Sequence, residues 1–339
     1  MVEIRKFDTC DLGTVDEVIL SKNGLCVSVI SYGATIRKIL FTDKNGVQHD
    51  VCLGYDTVGE YIEKSGYLGA IIGRNGNRIG GASYTHNGVQ YKLTANEGEN
   101  QLHGGLTGLD KKIWNYQAEG DAVVFTSKLA DGEDGFPGVV NVRVRYSIDE
   151  NNGLCIDYEA VSDKDTVINL TNHCYFNLGG ADGGTILDHT MQMDADRYTL
   201  TDAASIPTGE LPAVDGTCMD FRVAKPIGRD IDGDIVAPYG GYDHNFCLVG
   251  EGLRKVLDVK SPKTGIRMEV ITDQEGVQFY AGNFLDQTGK GGVYYAKHTG
   301  FCLETQHYPD AVNHENFPTS IVKAGDLYKQ TTVYRFIAE

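Results

Sequence analysis

Long apolar runs are missing from these 339 residues, and no stretch approaches the roughly 20 apolar residues that a membrane-spanning helix requires. Basic residues are scarce as well: 30 Lys and Arg against 47 Asp and Glu leave a net charge of −17. That balance argues against nucleic acid, whose backbone demands clustered cations. It also disfavours anionic membrane surfaces and highly charged phosphorylated substrates, leaving a neutral small molecule as the easier partner. The eight cysteines contain no Cys-x-x-Cys pair, which removes the usual zinc and redox signatures. They sit mostly in apolar runs such as Leu25-Cys26-Val27 and read as small buried thiols of a reducing compartment. Met1 to Asp8 lacks the apolar core of a secretory signal, so a cytoplasmic location is expected and the sequon Asn169-Leu170-Thr171 should be inert. Helical periodicity is weak throughout; Thr57–Lys64 alone suggests about two turns. No internal repeat or low-complexity linker divides the chain, so residues 1–339 are expected to form one domain.

Glycine and tyrosine are plentiful instead. The 42 glycines, about an eighth of the chain against a typical ~7%, are dispersed and read as turns and bulges. Short strand-like runs recur between them: Leu25–Ser31, Ala34–Phe41, Ala122–Ser127, Val139–Ile148, Leu154–Val161 and Thr166–Asn172. Lys255–Val259, Ile266–Thr272, Val277–Ala281, Phe301–Thr305 and Thr331–Phe336 continue the pattern, and Asp43-Lys44-Asn45-Gly46 is a hairpin-type turn. Closely spaced strands with glycine-rich turns predict an all-β fold, a large antiparallel β-sandwich with very little helix. The strand-poor stretches Ala181–Asp188 and Gly228–Tyr242 are expected on the surface or at the rim of a site. Nineteen tyrosines supply amphipathic rings suited to cleft walls.

Several segments carry side chains that plain core or plain loop does not need. Gly73-Arg74-Asn75-Gly76-Asn77-Arg78 lacks the spacing of a phosphate loop, but its two Arg and two Asn suit hydrogen bonds to hydroxyls or a carboxylate. His103 precedes two glycines, where backbone and ligand can approach closely. In a strand, Asn169, Thr171 and His173 would share a polar face opposite Ile168 and Leu170, placing a titratable imidazole at its end. The loop Gly240-Gly241-Tyr242-Asp243 delivers a carboxylate suited to hydroxyls or to raising a nearby histidine's pKa. Gln278 and Tyr280 alternate with Val277 and Phe279, so Gln278 faces a polar cleft. In Phe301-Cys302-Leu303-Glu304-Thr305-Gln306, Glu304 shares a face with Cys302 and Gln306 on an otherwise apolar strand. A carboxylate there is costly unless paired with a cation, solvated at an edge, or used in chemistry.

Together Asn169–Phe176, Gly241–Phe246, Gly276–Phe284 and Gly300–Ala311, in this order, resemble the aldose 1-epimerase (galactose mutarotase) family. The resemblance implies the galactose mutarotase-like supersandwich and a sugar cleft needing neither metal nor organic cofactor. It implies that Glu304 is the general base and His173 the general acid. Arg78, His103, Asp243 and Gln278, with Asn77 and Tyr175, match positions that bind the sugar. Cys174 and Tyr308 stand where the family often has Ser and Trp; neither change removes a catalytic group. The implied partner is a free aldose such as galactose or glucose, with no nucleic acid or membrane, and the protein acts as monomer or homodimer.

Opening a cyclic aldose removes the proton of the C1 hydroxyl and protonates the ring oxygen. A Glu of ordinary pKa, about 4.3, accepts the first proton at neutral pH. A His of ordinary pKa about 6.5, raised by neighbouring carboxylates, supplies the second. Four alternatives stay open at this point. A retaining glycosidase would pair Asp243 with Glu304, and a non-catalytic module would bind sugar without turnover. A metal site would draw on His103, His173, Asp243 and Glu304, and a hexose-6-phosphate epimerase would need a basic pocket.

Overall fold

Strict alternation builds the largest sheet. In Val140–Ile148, Val140, Val142, Val144 and Tyr146 are buried while Asn141, Arg143 and Arg145 face outward. The computed structural model, which describes residues 1–64 and 66–339, places this strand in a nine-stranded sheet. Its central neighbours, Gly153–Ser162, Leu327–Ala338 and Ile266–Thr272, pair antiparallel in unbroken register. Two five-stranded antiparallel sheets cover its inner face. The first is the meander Val2–Cys10, Gly13–Lys22, Leu25–Ile30, Thr35–Thr42 and Gln48–Asp50. The second runs, in spatial order, Tyr175–Phe176, Phe301–Gln306, Gly276–Tyr280, Asp243–Leu248 and Ala195–Tyr198.

One apolar cluster is continuous through all three sheets, from Val27 and Ile36 through Val144 and Ile156 to Phe279 and Leu303. Buried tyrosines tie the layers with their polar ends: Tyr146 donates to the Ala34 carbonyl and Tyr334 to the Leu303 carbonyl, each at 2.8 Å. The all-β sandwich expected from the turn spacing is thus the observed architecture. The one α-helix among the described residues is Val58–Glu63, where Thr57 and Glu60 form a capping box. No described helix is long and apolar enough to cross a membrane.

Two features depart from expectation. The first two strands lie outside the runs expected from the sequence. Val2–Cys10 is a largely exposed edge strand, and in Gly13–Lys22 the alternation is broken by Glu17, buried at 2% exposure and neutralised by Arg5 and Arg37. Thr166–Asn172 is not one strand. Thr166–Val167 pairs with Ile321–Val322 and Thr171–Asn172 with Ile71–Ile72, so the segment crosses between sheets. Asn169 is buried there and donates to the carbonyls of Gly76 and His307, which puts the sequon out of reach of modification. All eight cysteines are free thiols, four of them buried.

Candidate active site

Strand pairing assembles the floor of the site. Across the second five-stranded sheet Asn245, Gln278 and Glu304 are direct partners, as are Asp243, Tyr280 and Cys302, with Tyr175 opposite Cys302 on the far strand. Cross-strand neighbours on one face lie close enough for their side chains to meet. Val277, Phe279, Phe301 and Leu303 point the other way, into the core. The alternation read in the sequence therefore puts Asp243, Gln278 and Glu304 on one polar patch backed by the hydrophobic cluster.

Loops supply the walls. His173 N–H donates to the Ala70 carbonyl and its own carbonyl accepts from Gly69 N–H, both at 2.9 Å. Asn172 Nδ2 donates to the Gly69 carbonyl at 2.8 Å. Gly69 has φ +75°, and a Cβ there would lie 2.0 Å from the Ile36 carbonyl oxygen, so only glycine lets this loop reach His173. On the opposite wall Asn77 N–H donates to His103 Nδ1, and His103 N–H donates to the Asn77 carbonyl, each at 3.1 Å. The glycine after His103 admits a neighbouring backbone rather than a ligand: a Cβ on Gly104 would lie 2.4 Å from the Gly73 carbonyl oxygen.

All eight predicted site residues line one cavity of about 290 Å³: Asn77, Arg78, His103, His173, Tyr175, Asp243, Gln278 and Glu304. Glu304 Oε1 lies 3.6 Å from His173 Nε2, with both side chains buried. Gln278 Nε2 donates to Asp243 Oδ1 at 2.7 Å. Gln278 Oε1 and Glu304 Oε2, both buried, find no hydrogen-bond partner among the described residues. Two unsatisfied acceptors side by side match a ligand that brings hydroxyl donors. Arg74, the other arginine of its loop, belongs elsewhere. It is buried and donates to the carbonyls of Pro137 and Ala130, a structural role.

Three contributors have no role assigned by the sequence. Glu97, in a polar turn, grips Arg78 with two parallel hydrogen bonds of 2.7 and 2.8 Å. Tyr67 packs its ring 4.7 Å from His103 and 5.7 Å from His173. Cys302, which the strand alternation puts on the face of Glu304, places Sγ 3.5 Å from His173 Nδ1. Of the two loops expected on the surface or at a rim, neither lines the cavity; Gly228–Tyr242 contributes Pro238 and Tyr239 to an adjoining hollow instead.

Burial reverses the protonation expected from the sequence. It pushes the Glu304 carboxyl well above its ordinary range, with the Asp243 charge acting in the same sense and Arg78 opposing. It draws His173 down to about 4, so no carboxylate raises this histidine. His103 is held well below 6.5 by burial, with His173, Arg78 and Lys111 adding to it. Asp243 is raised by burial against the pull of Arg78. The histidine beside Asp243, His244, is likewise lowered by burial to about 4. Burial works against Arg78 too, yet the bond to Glu97 and the charges of Asp243 and Glu304 leave it above its ordinary value.

A metal reading meets a tautomer conflict. Ligand atoms of His103, His173 and Glu304 all lie within 4.8 Å of one another, without Asp243. His103 Nδ1 accepts from Asn77 N–H, so the neutral ring carries its proton on Nε2. That nitrogen offers the cavity a donor, not a lone pair.

Relatives with this fold are well defined. The aldose 1-epimerase model matches residues 16–335. Galactose mutarotase of Bos taurus is 42% identical over 327 residues, 96% of this chain and 94% of its own. Aldose 1-epimerase of Haemophilus influenzae is 39% identical over 343 aligned positions, 99% of this chain and all of its own. The solved structure of galactose 1-epimerase from Lactobacillus acidophilus superposes with a TM-score of 0.88 at 30% identity, covering 99% of this chain and 98% of that one. With a full-length match in sequence and in fold, this chain belongs to the aldose 1-epimerase family.

Proposed function

We propose that this protein is a cofactor-independent aldose 1-epimerase that interconverts the α and β anomers of free hexoses such as galactose and glucose. The 3.6 Å approach of Glu304 Oε1 to His173 Nε2, at the floor of a cavity with unsatisfied acceptors, carries this reading. The reacting oxygens O1 and O5 are bonded to the same carbon, so acid and base must be close neighbours, as these two are. The whole chain acts as one catalytic domain, supported by the core that runs through all three sheets. A cytoplasmic location accords with eight free thiols.

In the first half-reaction Glu304 takes the proton of O1 as the C1–O5 bond breaks and the C1 carbonyl forms. His173 gives its Nε2 proton to O5. Rotation about C1–C2 in the open aldehyde turns the other carbonyl face toward O5, and the two transfers run in reverse. Each positioned acid or base contributes about 10²–10⁴-fold.

The ionised pair and the neutral pair hold the same number of protons. Carboxylate with imidazolium differs from carboxylic acid with imidazole only in where one proton sits. Burial favours the neutral arrangement in the free cavity, which explains the opposed shifts of Glu304 and His173. A bound sugar favours the ionised arrangement by donating hydroxyl hydrogen bonds to Glu304 Oε2, with the Arg78 charge acting in the same direction. Arg78, His103, Asp243 and Gln278, with Asn77 and Tyr175 beside them, orient the ring.

A phosphorylated hexose fits poorly. Arg78 is the one cation lining the cavity among the described residues, and Glu97 already engages it; Asp243, Asp286 and Glu304 add further carboxyls. A glycosidase built on Asp243 and Glu304 leaves His173 and His103 without a task. The test is polarimetry on freshly dissolved α-D-galactose, followed by a panel of free aldoses. Accelerated equilibration is expected; saturable binding with no acceleration, or release of an aryl aglycone, would overturn the assignment.

A further inference from the structure

We infer that the buried thiol of Cys302 sets the tautomer of His173, accepting a hydrogen bond from Nδ1–H so that Nε2 alone exchanges the catalytic proton. This rests on the proposed acid role of His173. Once Nε2 has given its proton to O5, the neutral ring must carry its remaining proton on Nδ1. That N–H needs an acceptor in a buried position. Cys302 Sγ lies 3.5 Å away and is fully buried, and no other hydrogen-bond partner of Nδ1 occurs among the described residues. Around the rest of the ring stand Tyr67, His103, Tyr175 and Tyr280, with Glu304 facing Nε2.

The register of the strand Phe301–Gln306 makes this arrangement possible. Cys302 and Glu304 lie two residues apart on one face, so a single strand presents the acceptor for one ring nitrogen and the proton partner for the other. A carboxylate behind Nδ1 would also fix the tautomer, but its charge would hold the proton on the imidazolium. A neutral sulfur is a weak acceptor. It aligns the ring while leaving the Nε2 proton easy to transfer, and the return step needs no reorganisation behind it. Cys302 is thus a positioning residue that acts through His173.

Polarimetric kinetics of Cys302→Ala, Cys302→Ser and His173→Asn, with ¹⁵N NMR of His173, test the idea. The Ala variant should lose about tenfold in kcat, the scale of outer partners of a functional histidine, with KM nearly unchanged. Its His173 signal should shift from the Nδ1–H toward the Nε2–H tautomer. The Ser variant, whose Oγ also accepts, should recover most of the loss. Wild-type kcat in the Ala variant beside an inactive His173→Asn overturns the inference alone, whereas full turnover by His173→Asn overturns the acid role itself. If the Ala variant fails to fold, the wild-type spectrum decides: an Nε2–H tautomer refutes the proposal.

Discussion

Asn77 and His103 hold each other by two reciprocal backbone-anchored hydrogen bonds, N–H to Nδ1 and N–H to carbonyl, both at 3.1 Å. Both residues have positive φ, +61° and +53°, so the turn and the imidazole are fixed together. The pairing commits His103 Nε2 to donating. Incubation with a strong chelator should therefore leave the mutarotation rate unchanged. Loss of activity that Zn²⁺ restores would mean that His103 serves a metal after all.

Removing the proton-transfer group of either partner of the buried pair should cost most of the turnover. Glu304→Gln keeps the size and shape of the side chain but takes no proton, and a kcat loss of about 10²–10⁴-fold is expected. For His173→Asn a similar loss in kcat should appear with little change in KM. A pure rise in KM in either variant would mark that residue as a binding group.

Glu97 should matter through Arg78. Its bidentate bond holds the guanidinium at the cavity wall, and Glu97→Gln leaves a single neutral acceptor. KM should rise about tenfold, one 1.4 kcal/mol step, with a smaller effect on kcat. Equal losses in kcat and kcat/KM would instead place Arg78 in transition-state stabilisation.

Buried neutral histidines should make the protein acid-sensitive. His173 and His244 are lowered from 6.5 to about 4, so below pH 6.5 the unfolded chain binds protons that the folded one refuses. The stability each contributes is complete above pH 6.5 and is lost as pH falls toward 4, about 3 kcal/mol per histidine. The raised carboxyls of Glu304 and Asp243 act in the opposite sense, since the folded state holds their protons, so the net curve is shallower. His244 isolates one contribution. Asn in its place offers an oxygen where Nδ1 now accepts from Asp243 N–H. Urea unfolding between pH 4 and 6.5 should show the slope reduced by up to 1.36 kcal/mol per pH unit in His244→Asn. An unchanged slope would show that His244 titrates normally.

Much of this site is legible in the chain because strands encode direction. Once Phe301–Gln306 and Gly276–Tyr280 are read as strands, period two places Glu304 and Gln278 on the polar face, and the structure agrees. The polar ribbon Asn169–Thr171–His173, expected by the same rule, does not form, since the segment changes sheets between Val167 and Thr171. His173 reaches the site through its bonds to Gly69 and Ala70 instead. The chain assigns no task to Glu97, nor to Cys302 although alternation puts it on the face of Glu304, because those tasks arise only from contacts made in three dimensions. The ordinary Glu304 and raised His173 expected from the sequence both fail for the same reason. Charge signs can be read from the chain, but the loss of water around both groups cannot, and that loss dominates.

The pairing of Gln278 with Glu304 has a consequence for how the protein proves that it has folded. A slip of one residue between these two strands would turn the Glu304 carboxyl into the apolar core and expose Phe301 and Leu303 in the cavity. The proposed catalytic carboxyl is thus also a sentinel against mispairing, because the misregistered sheet would have to bury it among hydrocarbon. Turnover and correct strand pairing become one property. Activity recovered after refolding counts the molecules whose ladder is in register, and a compact but slipped population would be silent.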